Sequence, residues 1–336
     1  MGPRAAIFGC SGPALSAEER AFFCDADPWG FILFARNVET PDQLRALTGG
    51  LRETVGRAAP VFIDQEGGRV QRLGPPLWRG WDDAGAMLAR AAPEHAEEAL
   101  FLRHALLADE LASVGVDANC APVLDLRLPG ADPIIGARAF GADPETVGRL
   151  GRAARRGLAA GGARAVIKHI PGHGRADADS HIALPVVATD RAALTATDFA
   201  PFRANADAEM AMTAHVVFAA LDPARCATLS PRVIGAIRDD IGFAGLLMTD
   251  DISMGALDGP IAARCRAALT AGCDVILHCD GDPAEMEAVA GATPRLAGAA
   301  AARAARAEAA PARAADFDAA AALARLAEIT GGLAHA

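Results

Sequence analysis

Short apolar, β-rich runs recur along the chain at 5–8, 31–34, 61–63, 117–120, 165–167, 210–213, 246–249 and 274–277. Between them lie stretches whose apolar residues repeat at helical spacing, at about 17–24, 41–55, 93–114, 145–160, 196–204, 231–239, 260–271 and 283–290. Runs that are apolar throughout suit strands covered on both faces, and their alternation with amphipathic helices is the pattern of βα units around a parallel sheet. Eight such units predict an α/β fold, a closed (β/α)8 TIM-type barrel in preference to an open sheet. Several helix starts carry their own signals: Ser16, Thr40 and Ser230 each place a side-chain acceptor before the first turn, the last two followed by Pro41 and Pro231.

At 336 residues the chain exceeds the usual single-domain length. Barrels of this kind reach that size as one unit, so a single catalytic barrel domain over 1–336 is expected, with an Ala-rich helical segment from about 294 to 336. The stretch 294–311 is nearly low in complexity and offers no chemistry. A last helix over 317–329 sets Leu323, Leu326 and Ile329 at helical spacing, which suits packing on the barrel exterior. Two connections are unusually long, 121–144 and 169–195, and both follow predicted strands. Loops after the strands build the active site of such a barrel, so polar residues there carry extra weight.

Hydrophobic residues make up 52% of the chain and charged residues 22%, and no apolar run is long enough to cross a bilayer. No membrane association is expected. The apolar patch at 5–8 stops at Gly9, too short for a secretory segment, and reads as the first strand. Seven cysteines form an odd set without a Cys-x-x-Cys pair, which argues against a disulfide framework or zinc ribbon and points to a reducing cytoplasm. A net charge of −10 without a basic stripe argues against a nucleic-acid partner and leaves small neutral or cationic ligands.

Of the 32 basic residues only Lys168 is lysine. Such a lone lysine among arginines suggests a place where a compact ammonium is required. It opens the most informative stretch, Lys168-His169-Ile170-Pro171-Gly172-His173-Gly174, followed by Asp177, Asp179, Ser180 and His181. His169 and His173 have the spacing of a helical metal pair, but Pro171, Gly172 and Gly174 make a helix there improbable. Asp179 is close enough to His181 in sequence to orient its imidazole and tune it for proton transfer, although a solvated turn explains the triplet equally well.

Two further strand ends run into acids. In Leu246-Leu247-Met248-Thr249-Asp250-Asp251 the side chains of an extended chain diverge, so one acid can face the barrel mouth while the other points away. In Val61-Phe62-Ile63-Asp64-Gln65-Glu66-Gly67-Gly68-Arg69-Val70-Gln71-Arg72 the glycines permit a tight turn, and Asp64 and Arg72 are suited to binding hydroxyl groups. Neither a phosphate loop nor a dinucleotide fingerprint is present. Trp78 and Trp81 offer apolar faces for a sugar ring, or simply pack against a loop.

Taken in order, these motifs resemble the bacterial β-N-acetylhexosaminidases of glycoside hydrolase family 3, the NagZ type. The resemblance includes Ile32-Leu33-Phe34-Ala35-Arg36-Asn37, Asp64 through Arg72, Ile135-Gly136-Ala137-Arg138-Ala139-Phe140, Lys168 through His181, Ala211-Met212-Thr213-Ala214-His215 and Thr249 through Met254. It spans roughly residues 5–280. It departs at Ile252, where leucine is usual, and at Ala137, where an acid is common. Family-3 β-glucosidases usually carry a second domain that supplies their acid/base, and this chain has no length left for one.

The resemblance implies that Asp250 is the nucleophile, His181 the acid/base and Asp179 its partner. It makes Asp64, Arg72, Arg138, Lys168 and His169 sugar-binding residues. It further implies a retaining exo-β-N-acetylglucosaminidase acting on muropeptide fragments such as N-acetylglucosaminyl-1,6-anhydro-N-acetylmuramic acid in peptidoglycan recycling, with no cofactor, no metal and an expected monomer. A histidine base is neutral when it receives a proton and repels anionic acceptors less than a carboxylate does, so hydrolysis and phosphorolysis both stay open. Three rivals remain: a broader exo-glycosidase, a metal-dependent hydrolase built on His169, His173, His181 and Asp250, and a non-catalytic sugar-binding barrel.

Overall fold

The structure, a computed structural model, describes residues 2–180, 183–309, 314 and 317–332. Among the described residues ten strands occur in chain order: β1 (Arg4–Gly9), β2 (Pro28–Leu33), β3 (Val61–Ile63), β4 (Ala118–Asn119), β5 (Arg164–Ile170), β6 (Val186–Val187), β7 (Met210–Thr213), β8 (Val217–Phe218), β9 (Leu246–Asp251) and β10 (Val275–His278). Eight of them close a parallel barrel in the order β1-β10-β9-β7-β5-β4-β3-β2, while β6 and β8 pair separately above it. This is the (β/α)8 barrel that the alternating pattern predicts.

Side chains alternate between the barrel lumen and the helix layer, and both sides are filled. Ile7, Ile32, Phe62, Val166, Met210, Met212, Leu246, Met248, Val275 and Leu277 pack together inside, all buried. Outward-facing Phe8, Phe31, Val61, Ile63, Ile167 and Leu247 meet the helices. The Ala/Arg-rich stretch, which offers no chemistry, contains a helix, Gly298–Glu308, seated at the amino-terminal end of the barrel. Ala304 and Ala307 pack against the lumen cluster, where only small side chains allow so close an approach. Arg164 donates to the carbonyls of Ala307 and Glu308, tying the end of that helix to the start of β5. The last helix, Ala319–Ile329, packs Leu323, Leu326 and Ile329 against the helix Ala96–Ala112, as their spacing predicts.

Where the elements differ from expectation, the reason is local. β5 and β9 run on past their apolar cores through Lys168, His169, Asp250 and Asp251, because neighbouring segments still pair with them, Leu277 of β10 with Asp251 and Val123, beyond the end of β4, with Lys168. The strand expected at 31–34 begins at Pro28, a first position where the missing N–H costs no ladder bond. The helix expected over 196–204 divides into Arg191–Ala196 and Ala200–Arg203, with Pro201 in the first turn of the second. The helix expected over 93–114 is a 3-10 turn, Pro93–His95, followed by Ala96–Ala112.

Candidate active site

A cavity of about 240 Å³ opens at the carboxyl ends of the barrel strands. Asp64, Arg72, Arg138, Lys168, His169 and Asp250 all line it, together with Arg69, His173, Ser180, Met212 and Cys279. Six residues singled out from four separated stretches therefore face one space. A larger cavity, about 430 Å³, lies between the helix Pro144–Gly161 and the start of β5. Its acids and arginines pair with one another, as in Arg155–Asp207 at 2.7 Å and Arg149–Glu97 at 3.2 Å, and no strand delivers its carboxyl end there.

Charge is dense on one wall of the smaller cavity. Lys168 Nζ sits 2.7 Å from Asp64 Oδ1 and 2.7 Å from Glu66 Oε1. Arg138 grips Glu66 with two parallel hydrogen bonds, each 2.8 Å. The Lys168, Glu66 and Arg138 side chains are only 3%, 8% and 8% exposed, so desolvation is severe and mutual pairing must offset it. Burial pushes the Glu66 carboxyl up, but Arg138 and Lys168 outweigh it and hold it well below the usual carboxylate range. Burial likewise opposes the Lys168 ammonium, and Asp64 and Glu66 raise its pKa well above the ordinary lysine value. Arg72 Nη2 lies 3.5 Å from Asp64 Oδ2, and its buried Nε has no hydrogen-bond partner among the described residues, a donor left over for a ligand.

Asp125 organises a second wall. Its fully buried carboxylate accepts the His169 ring at Nδ1 (2.6 Å) and the backbone amides of His169 and His173 (3.2 and 2.6 Å). Nδ1–H of His169 thus points into the protein and Nε2 is left for the cavity. His173 instead reaches Ser180 Oγ through Nε2 at 3.2 Å, and burial with His169 beside it pushes its pKa down to about 4, so it is neutral.

Asp250 stands on the floor at the end of β9, its carboxylate accepting the Asp251 amide at 2.8 Å. Burial raises its pKa, but His215, His169, that amide and Lys168 together bring it below the ordinary aspartate value, so it is ionised. Its neighbour diverges as the strand geometry requires: Asp251 accepts Ser253 Oγ at 2.7 Å and the Cys279 amide at 3.2 Å, away from the cavity.

Residues 11–307 match the N-terminal domain of glycosyl hydrolase family 3. The chain belongs to that family. A β-hexosaminidase of Alkalilimnicola ehrlichii is 41% identical over 282 residues, covering 82% of this chain and 80% of the relative. One of Pseudomonas aeruginosa is 39% identical over 289 residues and 85% of both chains. The crystal structure of NagZ from Neisseria gonorrhoeae in complex with N-trifluoroacetyl-D-glucosamine superimposes with a TM-score of 0.88 at 30% identity, over 98% of this chain and 99% of that one. The protein is a glycoside hydrolase.

In this family-3 barrel two of the sequence-derived candidates fall differently from the rest. Asp179 is half-buried next to Ser180, and its carbonyl accepts the Ala183 amide at 3.0 Å. His181 lies outside the described residues. Trp78 and Trp81 do not line the cavity: Trp81 is buried with its ring N–H on Glu110 at 3.1 Å, and Trp78 packs on the main core. His169 and His173 are not on a helix; one ends a strand, the other follows a turn, and each has a partner other than a metal ligand set. Sequence reasoning gave no role to Glu66, Asp125 or His215. For Asp125 a signal existed, an acid closing the apolar run Val123-Leu124 at the start of a long loop.

The turn after β3 must double back so that the Glu66 amide reaches the Val70 carbonyl at 2.9 Å. Gly67 has φ +99°, and a Cβ there would lie 2.5 Å from the Asp82 carbonyl oxygen. A Gly67→Ala variant should therefore lose about 1–3 kcal/mol of stability, measurable by urea denaturation. Unchanged stability would show that the turn relaxes freely.

Proposed function

We propose that this glycoside hydrolase is a retaining exo-β-N-acetylglucosaminidase that releases terminal β-linked N-acetylglucosamine through a covalent glycosyl-enzyme on Asp250. The observation that carries this reading is an ionised carboxylate on the floor of a cavity ringed by Lys168, Arg72, Arg138, Asp64 and His169. A space of about 240 Å³ is below the range of drug-sized ligands and suits one pyranose ring with a small substituent, which favours action on chain ends. The 2-acetamido preference draws support from the β-hexosaminidase relatives and from the N-acetylglucosamine derivative bound by the gonococcal NagZ.

In the first step Asp250 attacks the anomeric carbon while His181, oriented by Asp179, protonates the leaving oxygen. In the second step the same imidazole, of a residue type whose unperturbed pKa is about 6.5, takes a proton from the water that opens the ester from the same face. Two displacements at one carbon retain its configuration. The sugar-binding groups hold hydroxyls by charge-assisted hydrogen bonds, which fix the ring against the nucleophile. The natural substrates in this reading are muropeptide fragments ending in N-acetylglucosamine, met in the cytoplasm during peptidoglycan recycling by a monomer in which 1–336 acts as one catalytic unit. All seven cysteines are unpaired and no helix of the described residues is long and apolar enough to cross a membrane, which agrees with that setting.

The test is release of nitrophenol from 4-nitrophenyl N-acetyl-β-glucosaminide beside the matching β-glucoside, with and without chelator, and with the first-formed anomer read by proton NMR. Turnover of the acetamido sugar alone, indifferent to chelator and giving the β-anomer first, is expected. Equal turnover of both sugars would make the enzyme a broad glycosidase, inhibition by chelator would revive the metal hydrolase, and an α-anomer would exclude the covalent intermediate.

A further inference from the structure

Thr228 lies outside every motif that singles out the site, on the 3-10 turn Ala227–Leu229 after β8. Its Oγ1 is 2.7 Å from His215 Nδ1 and 2.8 Å from Thr213 Oγ1, and 3.1 Å from the Ala214 carbonyl. Thr213, His215 and Thr228 are all fully shielded from solvent. On the far side of the imidazole, Nε2 is 2.9 Å from the carbonyl oxygen of Asp251. A carbonyl has no proton to give, so Nε2 carries the hydrogen. Burial lowers the pKa of the ring, which favours the form protonated at Nε2 alone and with Nδ1 as an acceptor. Thr228 gives its single proton to that shorter partner, and Thr213 in turn donates to Thr228.

This chain of hydrogen bonds ends on Asp251, the residue directly after the nucleophile. The amide of Asp251 donates to Asp250 Oδ1, and its side chain is tied to Ser253 and to the Cys279 amide. The His215 bond to the Asp251 carbonyl, with the Ile252 amide on the Leu277 carbonyl at 2.9 Å, holds the Asp251–Ile252 peptide, and through the Asp251 Cα it limits rotation of the amide that donates to Asp250. A ring free to turn over or to exchange tautomers would release that carbonyl, and the carboxylate would lose its aim. We propose that Thr228, acting through the tautomer and orientation of His215, is a positioning residue that aims the Asp250 carboxylate at the anomeric carbon. The proposal rests on the reading of Asp250 as nucleophile.

Thr228→Val keeps the shape and removes the hydroxyl, and Thr228→Ser restores it. In the full-length enzyme, Thr228→Val should lower kcat on 4-nitrophenyl N-acetyl-β-glucosaminide, and the rate of covalent labelling by a 5-fluoro-N-acetylglucosaminyl fluoride, about tenfold, with KM changed by less than about twofold. The serine variant should recover both rates, and the affinity for free N-acetylglucosamine should hold throughout. Labelling at the parent rate in the valine variant overturns the proposal, as does an equal loss of sugar affinity and rate. Should the valine variant not fold, nitrogen NMR of the parent enzyme decides: one neutral Nε2–H tautomer of His215 at neutral pH is expected, and an Nδ1–H or exchanging ring overturns the relay. A label found on a residue other than Asp250 would overturn the nucleophile assignment and the proposal with it, and the labelled peptide tells this failure from the others.

Discussion

Replacing Asp250 with alanine should reduce kcat on 4-nitrophenyl N-acetyl-β-glucosaminide by about 10⁴-fold or more while the fold and the affinity for free N-acetylglucosamine persist. The size follows from what is removed. Without the carboxylate no covalent ester forms, and a negative charge placed against the developing oxocarbenium ion is lost as well. Asparagine at this position would keep the hydrogen bond from the Asp251 amide and the volume, yet remain almost as inactive, because an amide is a poor nucleophile. Azide, admitted into the space the alanine leaves, should restore part of the turnover and yield a glycosyl azide of inverted configuration. Turnover of the alanine variant within about tenfold of the parent would remove Asp250 from the mechanism.

The second large effect concerns Lys168. Its ammonium is the shared partner of Asp64 and Glu66, both 2.7 Å away, and a Lys168→Met change of similar bulk leaves Glu66 with Arg138 alone and Asp64 with the more distant Arg72. Removing one partner from so buried a network should cost about 3–5 kcal/mol of stability, together with most of the sugar affinity. Denaturant melts at several pH values check both the size and its origin. The folded pKa of Glu66 is depressed, so its contribution is complete above the ordinary carboxylate range and fades as pH falls toward the folded value. The folded pKa of Lys168 is raised, so its contribution is complete below about pH 10 and fades only as pH rises beyond that toward the folded value. The parent should therefore show a stability plateau from about pH 5 to pH 10 from this network, and the methionine variant should lose the alkaline limb. A variant as stable as the parent would mean that the buried ions contribute nothing net to the fold.

Much of this molecule was legible before any coordinate. Apolar runs alternating with amphipathic stretches require a parallel sheet sealed by helices, because strands buried on both faces have no polar side to show to water. Eight of them close, and closure sends every strand's carboxyl end to one rim. Acids and a lone lysine placed just past apolar runs thus had to meet at that rim, which is why Asp64, Lys168 and Asp250 were recognisable as a candidate site. Chain order and strand direction were enough for that, since both are local properties.

What only the tertiary structure decided depends on partners far apart in sequence. Glu66 looked like one more acid in a turn until Arg138 and Lys168 came to 2.8 and 2.7 Å from it. Asp125 acquired meaning from a histidine that lies 44 residues on, and His215 from Thr228 on one side and the Asp251 carbonyl on the other. The Ala/Arg-rich segment had no visible purpose because its small residues matter only against the barrel floor they approach. Hydrogen-bond geometry falls off within fractions of an ångström and is set by how distant elements pack. The sequence alone determined which residues reach the rim of the barrel; only the folded packing decided which of them touch, which protons they hold, and which carboxylate is left facing the cavity.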